Sequence, residues 1–236
     1  MNPSTEHRVR SFRVIAIVMI ALVIGAVGEY VILRTQISQL TNETISTRGQ
    51  ISESGRMPPP KFPAFAPVSL DSKSTALLLF DFTSSICYRR VSCNATLSNT
   101  QVLLAKARLA KVAILFTRVP VNELSNRTGE MVIMNDKGAD KFYGTELEVW
   151  LKANQVKTAI VAGVSANGAV LYTVYGLSLR GVAVVVVTDG ISSDSDYIET
   201  YTLFQLLNQP GHSNTQNKPL APNAVTLSTV QLIQFE

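Results

Sequence analysis

From Val68 to the end of the chain, short runs of consecutive apolar residues alternate with amphipathic stretches, and this pattern restricts the fold more than any other feature. A strand with one face in water alternates apolar and polar residues. A strand covered on both faces is apolar at nearly every position, which is the condition inside a parallel sheet flanked by helices. Runs of this kind predict strands at residues 76–82, 112–117, 131–134, 158–162, 182–188 and 224–228. Apolar residues at three- and four-residue spacing predict helices at 101–110, 145–153, 167–180 and about 196–207. The expected class is therefore α/β: a three-layer Rossmann-like domain over residues 68–236 with a mostly parallel six-stranded sheet. A chain with 46% hydrophobic residues can fill such a core, and no internal repeat is visible.

The N-terminal part reads differently. Val14 to Val27 is an unbroken apolar run preceded by Arg8, Arg10 and Arg13, and counted over residues 12–34 the apolar character is long enough for one membrane-crossing helix. The arginines predict that residues 1–11 stay in the cytoplasm and that the main domain lies on the extracytoplasmic side. Ala26, Val27 and Gly28 also have the small-residue spacing of a signal-peptide cleavage site, and cleavage there would release a secreted domain. Residues 35–67 are polar and then proline-rich, including Pro58, Pro59 and Pro60, and read as a stalk; residues 36–50 could start it with a short helix.

A net charge of +4 without a basic stripe argues against nucleic acid as a partner. The two cysteines, Cys87 and Cys93, can either close a short loop as a disulfide or remain thiols. His7 and His212 are the whole histidine complement, so the sequence provides neither a metal-ligand set nor the base of a serine triad. No cofactor motif is present: Gly163 and Gly168 are not followed by the Lys-Ser/Thr of a phosphate loop, nor do they belong to a Gly-x-Gly-x-x-Gly pattern.

In open parallel sheets, ligands bind beyond the carboxyl ends of the strands. Three segments are predicted to converge there. Asp81 ends an apolar run and is followed by Phe82; it is a candidate proton-transfer group, or else a carboxylate capping the next turn. Lys137 and Lys141 follow the third run and lead into Phe142, Gly144 and Thr145. Gly163, Val164, Ser165, Ala166, Asn167, Gly168, Ala169 and Val170 form a strand, turn and helix start whose backbone amides could receive an oxyanion or a carboxylate.

Together these segments resemble the isochorismatase-like cysteine hydrolases, whose elbow reads Gly-Val-x-Thr-Asn-x-Cys-Val and whose preceding segments read Asp-x-Gln-x-x-Phe-Cys and Phe-x-Gly-Thr. The resemblance extends over residues 75–230. It implies that Asp81 activates a nucleophile, that a lysine (Lys137 or Lys141) neutralises the developing oxyanion, and that Phe82, Phe142, Asn167 and Gly168 border a small-molecule pocket. It also implies that the nucleophilic cysteine belongs at position 169, where this chain has alanine. The expected activity is hydrolysis of a small amide, imide or enol ether without the usual thiol, with a non-catalytic binding domain as the alternative. An architecture of this kind can also form homo-oligomers.

Overall fold

A computed structural model describes Glu29 and residues 32–41, 61–134 and 137–236. The chain divides into two units, Met1–Pro58 and Pro59–Glu236. In the first, residues 32–41 form helix α1. Among the described residues no helix is long and apolar enough to cross a membrane. The anchor expected at 12–34 lies outside the described residues except for Glu29 and 32–34, as does most of the stalk.

In the second unit the elements run β1 (Val68–Leu70), β2 (Thr75–Phe80), α2 (Ser84–Cys87), α3 (Val91–Leu109), β3 (Ala113–Thr117), β4 (Met131–Ile133), α4 (Leu147–Ala153), β5 (Thr158–Val164), a π-helical turn (Ala166–Val170), α5 (Leu171–Leu179), β6 (Ala183–Ser192), α6 (Asp196–Leu207), β7 (Val225–Ser228) and β8 (Ile233–Phe235). The principal sheet has six strands in the order β4-β3-β2-β5-β6-β7, and every neighbouring pair is parallel. All six expected strands are present. The sequence did not signal the small second sheet, in which β1 pairs in parallel with β8.

The two-sided burial inferred from the apolar runs is what the structure shows, with all six residues of β2 buried. Successive side chains alternate between faces. Leu77 and Leu79 join Leu103, Leu104 and Ala107 of α3, together with Val68, Leu70 and Ile233 of the small sheet. Ala76, Leu78 and Phe80 face the other way, onto Leu147 and Leu151 of α4, Val174 and Leu177 of α5, and Leu206 of α6. Truncating one fully buried leucine here, such as Leu78, costs about 2–5 kcal/mol through lost transfer energy and the cavity left behind.

Two differences from the expected boundaries bear on the site. Helix α3 starts at Val91, ten residues before the expected 101, because its first half is rich in Ser, Asn and Thr and carries little periodic signal. Thr96 and Thr100 turn their hydroxyls back onto the carbonyls of Cys93 and Thr96, so the polar groups are satisfied inside the helix. Strand β6 continues past residue 188 to Ser192, and after a register shift it pairs with β5 again at Gly163 and Val164.

Candidate active site

Strand register brings the chemical groups together. Phe80 at the end of β2 sits between Thr117 of β3 and Gly163 of β5. The next residue, Asp81, therefore emerges between the end of β3 and the strand that enters the elbow. A Cβ on Gly163 would lie 2.6 Å from Phe80 Cβ and 2.8 Å from its carbonyl oxygen, so only glycine lets the two strands approach this closely.

Asp81 has φ 54°, left-handed for a residue with a side chain, a conformation that costs about 1 kcal/mol or more and persists only where its surroundings impose it. Thr117 imposes it here. The Asp81 amide donates to Thr117 Oγ1 at 2.9 Å, and the same hydroxyl donates to Asp81 Oδ1 at 2.7 Å. The other oxygen, Oδ2, accepts from Lys141 Nζ at 2.7 Å. Arg118, which follows β3 and is also left-handed at φ 63°, brings Nε to 3.9 Å from Oδ1.

Of the two candidate lysines, Lys141 is the one that meets Asp81, with a side chain only 3% exposed against 13% for the carboxylate. A lysine is buried to this degree almost only when paired. Its backbone is fixed as well: the amide donates to Thr173 Oγ1 of α5 at 3.0 Å, and the carbonyl accepts from Thr145 Oγ1. The loop bearing Lys141 is thus tied to the helix that leaves the elbow. Lys137 is exposed and lies elsewhere, with its aliphatic chain near Gly144.

At the elbow the Val164–Ser165 peptide is cis, and the chain then makes a single π turn before α5. Such turns recur at functional sites because they displace the backbone from regular helical spacing. The amides of Gly168 and Val170 both donate to the Ser165 carbonyl, at 2.9 and 3.3 Å. Asn167 is exposed and Gly168 half-buried. Ala169 is 3% exposed and packs with Ala166 and Val170 in the core on the α5 side.

The two aromatic candidates take different positions. Phe82 is fully buried among Leu79, Phe116 and Val121 in the α3-side core. Phe142 lies against α5, with the Arg180 guanidinium 3.9 Å from its ring centroid and Gly176 leaving room for its edge.

Of the two states expected for the cysteines, the disulfide is present, with the Cα atoms of Cys87 and Cys93 4.8 Å apart. The structure also adds groups that sequence reasoning missed, the first being Arg90 in the loop this disulfide closes. Arg90 Nη1 donates to Ser165 Oγ at 3.0 Å while Nη2 pairs with Asp194 at 2.9 Å, joining that loop to the elbow and to the segment after β6. Ser192, paired with Val164 in the sheet, has a buried hydroxyl with no hydrogen-bond partner among the described residues. Thr117 and Arg118 were detectable only as the end of an apolar run, and Arg90 only as a charge between two cysteines. Among the described residues no group of three or more His, Cys, Asp or Glu side chains is arranged to hold a metal ion.

The assembled site contains a fixed carboxylate, a buried ammonium, two guanidinium groups at its edge, and a helix start beside them. It can move a proton and hold an anion, and residue 169 contributes no nucleophilic atom. No curated protein matches the sequence. Solved structures do match. They include N-carbamoylsarcosine amidase from Thermoplasma acidophilum (TM-score 0.55, 16% identity, 66% of this chain and 96% of that one). A cysteine hydrolase from Pseudomonas syringae gives TM-score 0.58 and 15% identity over 74% of this chain and 94% of its own. The nicotinamidase of Staphylococcus aureus gives 0.55 and 16% over 60% and 98%. At these identities the likeness is one of fold. The sequence pattern of the isochorismatase domain matches residues 119–211, which include Lys141, the elbow and all of β6. Residues 119–211 thus carry the isochorismatase pattern, within a domain that has the fold of the isochorismatase-like hydrolases.

Proposed function

We propose that this chain is a membrane-anchored isochorismatase-like hydrolase that acts on a small amide, imide or enol ether without forming a covalent thiol intermediate. The observation that carries the reading is the Asp81–Lys141 pair, 2.7 Å apart and almost fully buried, beside an elbow with alanine at position 169. Among the three substrate classes, the enol ether needs a nucleophilic side chain least. Its hydrolysis begins with a proton delivered to the vinyl carbon. Water then adds to the oxocarbenium ion and the hemiketal breaks into a carbonyl compound and an alcohol. The Lys141 ammonium supplies the proton, Asp81 accepts the one released by the water that adds and returns it to Lys141, and the guanidinium groups at the edge hold an anionic substrate in place. With an amide or imide, Asp81 would instead accept a proton from attacking water, at a rate well below that of a thiol enzyme. Removing a nucleophile leaves only about 10³–10⁴ of acceleration from oxyanion stabilisation and binding.

The anchor at residues 12–34 and an extracytoplasmic domain complete the proposal; the arginines before the apolar run support this orientation. Position 169 favours a second reading. Its methyl side chain has no nucleophilic atom, which suits a domain that binds a carboxylate or amide and releases it unchanged. The two are separated by a turnover screen with isochorismate-like enol ethers, small amides and imides. Turnover by the native chain that disappears in Asp81→Asn establishes the thiol-independent hydrolase. Saturable binding with no turnover, and turnover appearing only in Ala169→Cys, establishes the binding domain.

A further inference from the structure

We propose that Thr117 is a positioning residue of the site: its hydroxyl fixes the direction in which the Asp81 carboxylate presents its open lone pairs, and with it the passage of protons between Asp81 and Lys141. The proposal rests on the reading of Asp81 as the proton acceptor. Thr117 is the last residue of β3, stands opposite Phe80 in the ladder and is 1% exposed. A hydroxyl buried to this degree needs hydrogen-bond partners, and it has one proton to give. Thr117 Oγ1 uses both capacities on one residue 36 positions away, accepting from the Asp81 amide at 2.9 Å and donating to Asp81 Oδ1 at 2.7 Å. Other buried threonines behave differently. Thr96 and Thr100 turn their hydroxyls onto carbonyls of their own helix, and Thr226 accepts from the Leu220 amide and donates to the Lys218 carbonyl. Thr173 holds the Lys141 amide and donates to the Ala139 carbonyl, so it fixes the backbone of that loop and not the ammonium. Among these threonines only Thr117 places its hydroxyl on an ionisable group.

Donors on two different oxygens stop the carboxylate from turning about its last bond. Thr117 occupies one lone pair of Oδ1 and Lys141 Nζ one of Oδ2, at 2.7 Å each, so the pair left on each oxygen has a fixed direction. The proton released by the adding water arrives on such a lone pair and moves on to Lys141 through the Oδ2 contact. Without the hydroxyl the carboxylate is held only by Lys141 and, at 3.9 Å, by Arg118, and the left-handed backbone at φ 54° loses the bond that imposes it. A displaced acceptor slows the chemical step and leaves the anionic contacts of the substrate at the guanidinium groups in place.

The test is steady-state turnover of isochorismate by the full chain in mild detergent micelles, beside Thr117→Val, Thr117→Ser and Thr226→Val. Valine keeps the volume of threonine and loses the hydroxyl; serine does the reverse. Thr226, on β7 at the far edge of the sheet, loses an equivalent pair of hydrogen bonds and reports the effect on folding alone. Thr117→Val is expected to lower kcat about 100-fold with KM within about twofold, Thr117→Ser to stay within about threefold of the native kcat, and Thr226→Val to lower the melt without changing kcat. A serine variant no better than the valine one, or an equal loss of kcat in Thr117→Val and Thr226→Val, would mean that Thr117 only packs and would overturn the proposal.

If the native chain leaves isochorismate intact, the hydrolase reading fails by itself, and the comparison is made in the Ala169→Cys background from the rate at which iodoacetamide alkylates the introduced thiol; the native cysteines are joined in the disulfide. There Asp81→Asn and Thr117→Val are each expected to slow alkylation about tenfold, and Thr117→Ser by less than about threefold. Slowing by Asp81→Asn alone overturns the proposal, and a rate that neither variant changes removes Asp81 as the acceptor and Thr117 with it.

Discussion

Two ion pairs in this domain, one half-buried and one almost fully buried, differ in what surrounds them. Arg108 of α3 and Glu130, just before β4, form a forked contact of 2.7 and 2.9 Å, and the carboxylate also accepts from the Arg127 amide. That pair is geometrically complete and ties a helix to a loop. Lys141 and Asp81 share a single 2.7 Å contact, and the carboxylate's other oxygen is held by a hydroxyl. Its backbone is left-handed, and both groups lie at the carboxyl ends of strands beside a helix start. The forked pair ties a helix to a loop, whereas the singly bridged pair lies at the strand ends, where open parallel sheets bind ligands, and keeps acceptor capacity for a ligand or water.

The largest expected effect tests this contrast directly. Lys141→Met strands a buried carboxylate and should cost about 3–5 kcal/mol in urea unfolding, together with all turnover or ligand binding. Arg108→Met should cost about 1–3 kcal/mol and leave turnover or binding unchanged. Loss of function in both variants would end the distinction. Next in size, Gly163→Ala forces a methyl into Phe80 and should cost about 1–3 kcal/mol while displacing both Asp81 and the elbow. Activity should fall more than stability predicts, which kinetics at a temperature well below the melt would reveal.

Breaking the disulfide with Cys87→Ser and Cys93→Ser should cost about 2 kcal/mol, the chain entropy of so short a loop, and should weaken the Arg90 contact with the elbow. Its signature is a rise in KM for anionic substrates with kcat nearly constant. An unaltered KM would remove Arg90 from substrate binding.

The smallest effects are in the pH dependence of folding. Burial raises Glu199 above the ordinary glutamate range. The folded state therefore holds the proton more tightly, and this contribution to stability is present in acid and lost as pH rises through the folded value. For Glu130, burial pushes upward, but hydrogen bonds from Arg108 and the Arg127 amide outweigh it and leave the group below the ordinary range. Its contribution is present above the unfolded value and lost as pH falls through the folded one. Glu199→Gln should remove the first trend and Glu130→Gln the second, in melts recorded across the acid range. For the half-exposed Glu199 the change should stay within about 0.5 kcal/mol.

The sheet was legible in the sequence because burial on both faces leaves no room for polar residues, so strands such as Ala76 to Phe80 could hardly read otherwise. The elements that were missed bury less. Strands β1 and β8 are three residues each, too short to show a period. The site was legible where one position sufficed. Asp81 ends an apolar run and Ala169 falls at a patterned elbow. The choice between Lys137 and Lys141 was not legible, since both precede Phe142 in a loop and only the tie to Thr173 sets which one turns inward. The roles of Arg90 and Thr117 were not legible, because each acts through a neighbour distant in sequence.

Pairing of β1 with β8 joins the first and last strands of the domain side by side and in the same direction, with Val68 opposite Ile233 and Leu70 opposite Phe235. Tension drawn from the N-terminal side against the C-terminal end therefore acts along those strands. The ladder is loaded in shear, with its hydrogen bonds resisting together, instead of being unzipped one at a time. The β1–β8 ladder is thus a mechanical clasp across the two ends of the domain, and the sheet and elbow behind it are shielded from such a pull.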